Sequence, residues 1–99
     1  MTDARDKPLW FLYMIRTHSG MLYTGITTDV ERRFLEHQAG GNKSARFLKG
    51  KGPLVLEFSV EVGDHSTALK CEYKMKKLSR SKKEQIIVAP QIFSNLVYV

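Results

Sequence analysis

Leu9-Trp10-Phe11-Leu12-Tyr13-Met14-Ile15 is an almost unbroken apolar and aromatic run. It is too short for a buried helix and suits a strand covered on both faces. Thr17-His18-Ser19-Gly20 then supplies turn chemistry and Met21-Leu22-Tyr23-Thr24 a second short strand, which together predict a β-hairpin. After Gly25 the pattern predicts an amphipathic helix from about Asp29 to Gln38. A Thr28-x-x-Glu31 capping box opens it, Val30, Phe34 and Leu35 are its apolar residues, and Gly40-Gly41 ends it. A basic segment follows, with helical turns around Ser44 to Leu48, and Gly50, Gly52 and Pro53 close it. Leu54 to Val62 reads as a third strand with partial alternation. Asp64 or Ser66 can cap the next helix, which runs to about Leu78 with Ala68, Cys71, Met75 and Leu78 as its core stripe and Leu69 widening the apolar arc. Ser81-x-x-Glu84 caps a short helix from Ser81 to Val88, which Pro90 stops. The uncharged tail Gln91 to Val99 fits a docked end and a frayed one equally. The order β-β-α-β-α-α predicts an α+β domain: a three-stranded, mainly antiparallel sheet flanked by helices.

The same pattern has exceptions. Stepping i, i+3, i+4, i+7 from Val30 lands on Arg33, Phe34 and His37, so two chargeable groups lie on or beside a stripe meant for the interior. On the later helix, at roughly 100° per residue, Glu72 falls between Ala68 and Leu69 inside the apolar arc. An unpaired buried charge costs on the order of several kcal/mol, so these groups either pair with one another or border a cleft. Two accounts are open: a structural Arg33–Glu72 salt bridge with His37 as a satisfied core residue, or a phosphodiester-cleaving site in which Glu72 holds a divalent cation and Arg33 neutralises the phosphate.

Length and charge narrow the setting. The 99 residues suffice for one domain with a modest core. No apolar run approaches the roughly 20 residues of a membrane span, and no export signal is read in MTDARDKP. The single cysteine, Cys71, fits a reducing cytoplasm; on the core stripe and with no base partner, it is not a candidate nucleophile. His18 and His65 lack metal-ligand spacing. The net charge of +6 is concentrated in two places. Lys43, Arg46, Lys49 and Lys51 have no acidic residue among them, and Lys70, Lys74, Lys76, Lys77, Arg80, Lys82 and Lys83 are offset by Glu72 alone. Such patches suit a polyanionic partner, nucleic acid above all, or simply a well-solvated surface.

Tyr23-Thr24-Gly25 in the second strand, preceded at a hairpin's distance by Phe11-Leu12-Tyr13 and followed by Arg33 and Glu72 on two helices, resembles the GIY-YIG nuclease superfamily. Within it the chain is similar to the small single-domain bacterial branch, the YhbQ-like proteins. The likeness covers roughly residues 9 to 80, leaving 81–99 as a C-terminal helix and tail of the one domain. Phe11 and Leu12 stand where the first motif has glycine and isoleucine.

The resemblance implies a divalent-metal-dependent endonuclease hydrolysing DNA, selective for structure rather than sequence, in DNA repair or processing. It implies Tyr13 and Tyr23 by the scissile phosphate, with Tyr23 the better acceptor for water's proton, and Arg33 on the non-bridging oxygens, where lysine cannot copy its planar fork. His37 is implied to hold a neighbour or shuttle a proton, and Glu72 to bind one Mg²⁺ or Mn²⁺, with the substrate phosphate completing the shell. Gly25 is expected to turn the backbone tightly between strand and helix beside the substrate. Lys43, Arg46, Lys49, Lys51, Lys70, Lys74 and Lys77 are the expected backbone contacts on DNA, with no base reading, no small-molecule cofactor and a protein partner for targeting. The rivals are a non-catalytic nucleic-acid-binding module that keeps the fold and an interaction domain for an acidic protein.

Overall fold

The computed structural model describes residues 7–98. Most of the N-terminal stretch in which no export signal was read, and Val99, lie outside the described residues.

The apolar run forms strand β1, Trp10–Arg16, with Leu12, Tyr13, Met14 and Ile15 all buried. Its composition is explained by its place: it is the middle strand of an antiparallel sheet in the order β2-β1-β3, with β2 at Leu22–Thr27 and β3 at Val55–Gly63. The β1–β2 hairpin closes with the Thr17 N–H donating to the Met21 carbonyl at 2.8 Å, and Gly20 takes the left-handed φ of 92° that the turn requires. Strand β3 is an outer strand, and its register against β1 shifts at two places, between Trp10 and Phe11 and between Met14 and Ile15.

One face of the sheet carries the larger core. Leu12 and Met14 pack there with Phe58, Val62, the stripe Ala68, Cys71 and Met75 of helix α2 (His65–Lys77), and Ile86 of helix α3 (Arg80–Val88). Phe93 and Val97 join them from a 3-10 turn and a π-helical turn at Ser94–Tyr98, so the tail is docked. The opposite face carries a smaller cluster of Tyr13, Ile15, Leu48 and Leu54, covered by helix α1 (Val30–Ala39) through Val30 and Phe34 and by a 3-10 turn at Arg46–Leu48.

Several local expectations are corrected. Helix α1 is capped by Asp29, whose carboxylate accepts the Arg32 N–H at 3.0 Å, and not by a Thr28 box; the Asp29 side chain is one residue nearer the orphan amides. Its far end is the left-handed Gly40, as expected. Leu35 and Leu69 are largely exposed, at 60% and 47%, because the layers are thin and only the central arc of each helix meets the sheet. Asp64, not Ser66, caps α2. Ser79, not Ser81, caps α3, which frees Glu84 from a capping box. Glu84 instead takes a two-pronged hydrogen bond from Arg16 at 2.7 and 2.9 Å, while Arg16 Nε donates to Glu57 at 2.6 Å. Arg16 thus ties β1, β3 and α3 together.

Candidate functional site

Residues directly opposite in an antiparallel pair share a face. Tyr13 is opposite Gly25 and Ile15 opposite Tyr23, so both tyrosines project toward α1. Their ring centroids are 6.4 Å apart. Gly25 lies within β2 and not in a turn before the helix, which corrects the role expected of it. A Cβ at that position would come within 2.6 Å of the Tyr13 Cζ, so glycine is required because the Tyr13 ring crosses over it. Gly25 is buried and is not an open contact for a DNA backbone. Phe11 is half-buried opposite Thr27 on the same face, at the start of the strand.

Helix α1 brings His37 down onto the tyrosines. Its ring is 1% exposed, with Nε2 at 2.9 Å from the Tyr13 hydroxyl, and the Tyr23 ring meets it edge-on at 5.6 Å between centroids. His37 Nδ1 accepts the Ala45 N–H at 3.1 Å. That bond assigns the neutral tautomer: the proton sits on Nε2 and is donated to the Tyr13 oxygen. Burial, with the nearby Arg33 charge, pulls the His37 pKa down to about 4, against the opposing pull of Glu36. Burial, then the Tyr23 neighbour, push the Tyr13 phenol up to about 12, with a smaller push from Glu72 and an opposing pull from the Arg33 guanidinium beside it.

The Arg33–Glu72 pair that the sequence left open does not form. Arg33 Nη1 donates to Glu36 on its own helix at 2.9 Å and to the Lys43 carbonyl. Glu72 pairs with Lys76 on its own helix at 3.3 Å. One turn along a helix is the shorter reach, and α1 and α2 lie on opposite faces of the sheet. The Glu72 carboxylate is nonetheless close enough to act on the Tyr13 phenol, and its side chain is 22% exposed, open to solvent. The structure therefore gathers Tyr13, Tyr23, His37 and Arg33 in direct contact, with Glu72 within electrostatic reach.

Sequence reasoning missed Ala45 and Phe47. Ala45 acts through its backbone N–H, which has no signature in the sequence. Phe47 is a lone aromatic among basic residues, and that contrast was the available signal. Its ring stacks on Tyr23 at 5.8 Å between centroids, and the Lys51 ammonium lies 3.8 Å over it. Of the basic residues, Lys43, Arg46, Lys49, Lys70, Lys74 and Lys77 are exposed and Lys51 is half-buried.

Among the described residues no three His, Cys, Asp or Glu side chains are grouped to hold a metal ion. Glu72 offers a hard oxygen donor reachable from solvent. That chemistry fits a magnesium-type ion that keeps most of its waters and takes its remaining ligands from a substrate phosphate. Among the described residues no helix is long and apolar enough to cross a membrane.

A family model described as the GIY-YIG catalytic domain matches residues 9–85. A UPF0213 protein of Yersinia pestis (strain Pestoides F) is 56% identical over 89 residues, covering 89% of this chain and 92% of the relative. A UPF0213 protein of Yersinia pseudotuberculosis serotype O:3 (strain YPIII) matches to the same extent, with 56% identity over 89 residues. The solution NMR structure of the UPF0213 protein BH0048 from Bacillus halodurans is similar at a TM-score of 0.52 and 35% identity, over 87% of this chain and 93% of that one.

Proposed function

The chain belongs to the GIY-YIG catalytic-domain family, a nuclease family, and on that premise we propose that it is a divalent-metal-dependent DNA endonuclease acting in repair or processing. The observation that carries this reading is the contact of Tyr13, Tyr23 and His37 on one sheet face, with the Arg33 charge next to Tyr13 and the part-exposed Glu72, on the helix of the other face, within electrostatic reach of it. Glu72 would hold Mg²⁺ or Mn²⁺, which when bound polarises the phosphate and eases deprotonation of water.

The chain's own groups divide the remaining work. Tyr13 stays protonated at neutral pH and already accepts from His37, so its O–H is left to donate to a phosphate oxygen. Tyr23, less buried, orients the attacking water and receives its proton. The water oxygen bonds to phosphorus as the bond to the leaving sugar oxygen breaks. Arg33 turns its remaining donors to the non-bridging oxygens. The exposed lysines and Arg46 bind backbone phosphates, so selectivity rests on DNA shape.

A second reading, a nucleic-acid-binding module without turnover, draws on one observation: Glu72 and Arg33 are each ion-paired on their own helix. Pure protein tested on single-stranded, duplex and branched DNA with Mg²⁺ or Mn²⁺ separates the two. Nicking that Glu72→Ala abolishes while binding persists supports the endonuclease. Binding of all three DNAs with cleavage of none overturns it.

A further inference from the structure

One short stretch outside the tyrosine motifs grips three of the candidate site residues. The Lys43 carbonyl accepts from Arg33, the Ala45 N–H donates to His37 Nδ1, and the Phe47 ring stacks on Tyr23 at an interplanar angle of 26°. Residues 43, 45 and 47 therefore each reach a different side chain of the site. The Ser44 hydroxyl adds a bond to the His37 carbonyl at 3.3 Å. The stretch is itself anchored, because the Lys51 carbonyl accepts the His18 N–H of the β1–β2 turn at 2.9 Å.

Phe47 is the member of this stretch whose side chain meets a site side chain. An aromatic among lysines would ordinarily serve as a platform for a nucleobase. Here Tyr23 stacks against the ring and the Lys51 ammonium sits over it, so the ring is already engaged within the protein. The Tyr23 ring is oriented by other rings, with His37 at its edge and Phe47 against its face.

We propose that Phe47 is a positioning residue: its ring holds Tyr23 at the angle to His37 and Tyr13 that phosphodiester cleavage requires, without touching DNA. This rests on the endonuclease reading. A displacement of a reacting group by about 1 Å costs on the order of 100-fold in rate. Phe47→Ala should therefore lower single-turnover cleavage of saturating branched DNA by about 10- to 100-fold, with Kd for that DNA moving less than about 3-fold. Phe47→Tyr, which keeps the flat ring, should restore the rate, and Phe47→Leu, which fills the space without it, should not. Cleavage by Phe47→Ala at the wild-type rate, or a loss confined to Kd, overturns the proposal. If Phe47→Ala does not fold, the Leu and Tyr pair decides on the same criteria. If the wild-type protein cuts nothing, the endonuclease reading fails separately. The positioning is then read by NMR from the Tyr23–His37 ring NOEs: their loss in Phe47→Leu with the other β1–β2 NOEs intact supports it, and their retention overturns it.

Discussion

Tyr13 lies directly across the β1–β2 ladder from Gly25, and its ring occupies the space a side chain there would need. Gly25→Ala must displace the phenol from His37. Overpacking of this kind costs about 1 to 3 kcal/mol. The expected outcome is a urea midpoint lowered accordingly at unchanged m-value, together with loss of any cleavage activity.

His37 makes stability depend on pH. Its folded pKa, about 4, lies below its ordinary value of 6.5, so between those limits the unfolded chain binds a proton that the folded chain refuses. Stability is full above pH 6.5, falls as pH drops toward 4, and loses about 3 kcal/mol across that window from this residue. Denaturant melts of wild type and His37→Gln at pH 7 and pH 4.5 check it: the variant starts less stable but loses less on acidification.

Arg16 should matter to stability and not to chemistry. Its guanidinium bridges Glu57 and Glu84 with about a quarter of its side chain exposed, and those hydrogen bonds, Glu84's first, raise its pKa further. Arg16→Ala leaves Glu57 without its arginine and Glu84 with Arg80 alone, and should cost about 1 to 3 kcal/mol by thermal or chemical melt. Activity per folded molecule should be unchanged, since Arg16 projects on the face away from the tyrosines.

DNA affinity should fall steeply with salt. Each phosphate contact contributes about −0.9 to the slope of log K against log salt on duplex DNA. Replacing exposed Lys43 or Lys49 by alanine should lower that slope's magnitude by about one each, measured by fluorescence anisotropy across a salt series.

The sequence disclosed the elements that follow from local pattern and withheld those that depend on distant partners. The β1 run was legible because a central strand needs apolar residues on both faces. Thr28 and Asp29, or Ser79 and Ser81, are chemically equivalent as caps, and only the backbone path chooses between them. Glu84 looked like a capping residue because its real partner, Arg16, is 68 positions away. The inward-facing anomaly on α1 marked Arg33 and His37, while the tyrosines, otherwise ordinary strand aromatics, were placed with them only by the family resemblance. The hold of Ala45 on His37 could not be read at all, since a backbone N–H is common to almost every residue.

Strand β3 ends the sheet with a rim that no other described strand covers. Bare rims recruit strands from neighbouring molecules and seed insoluble fibres. This one carries the exposed Glu61 and pairs with β1 through two register shifts, so a second molecule would meet a negative charge and an irregular template. The rim is thus guarded against growth into aggregates while its inward residues remain free to build the core.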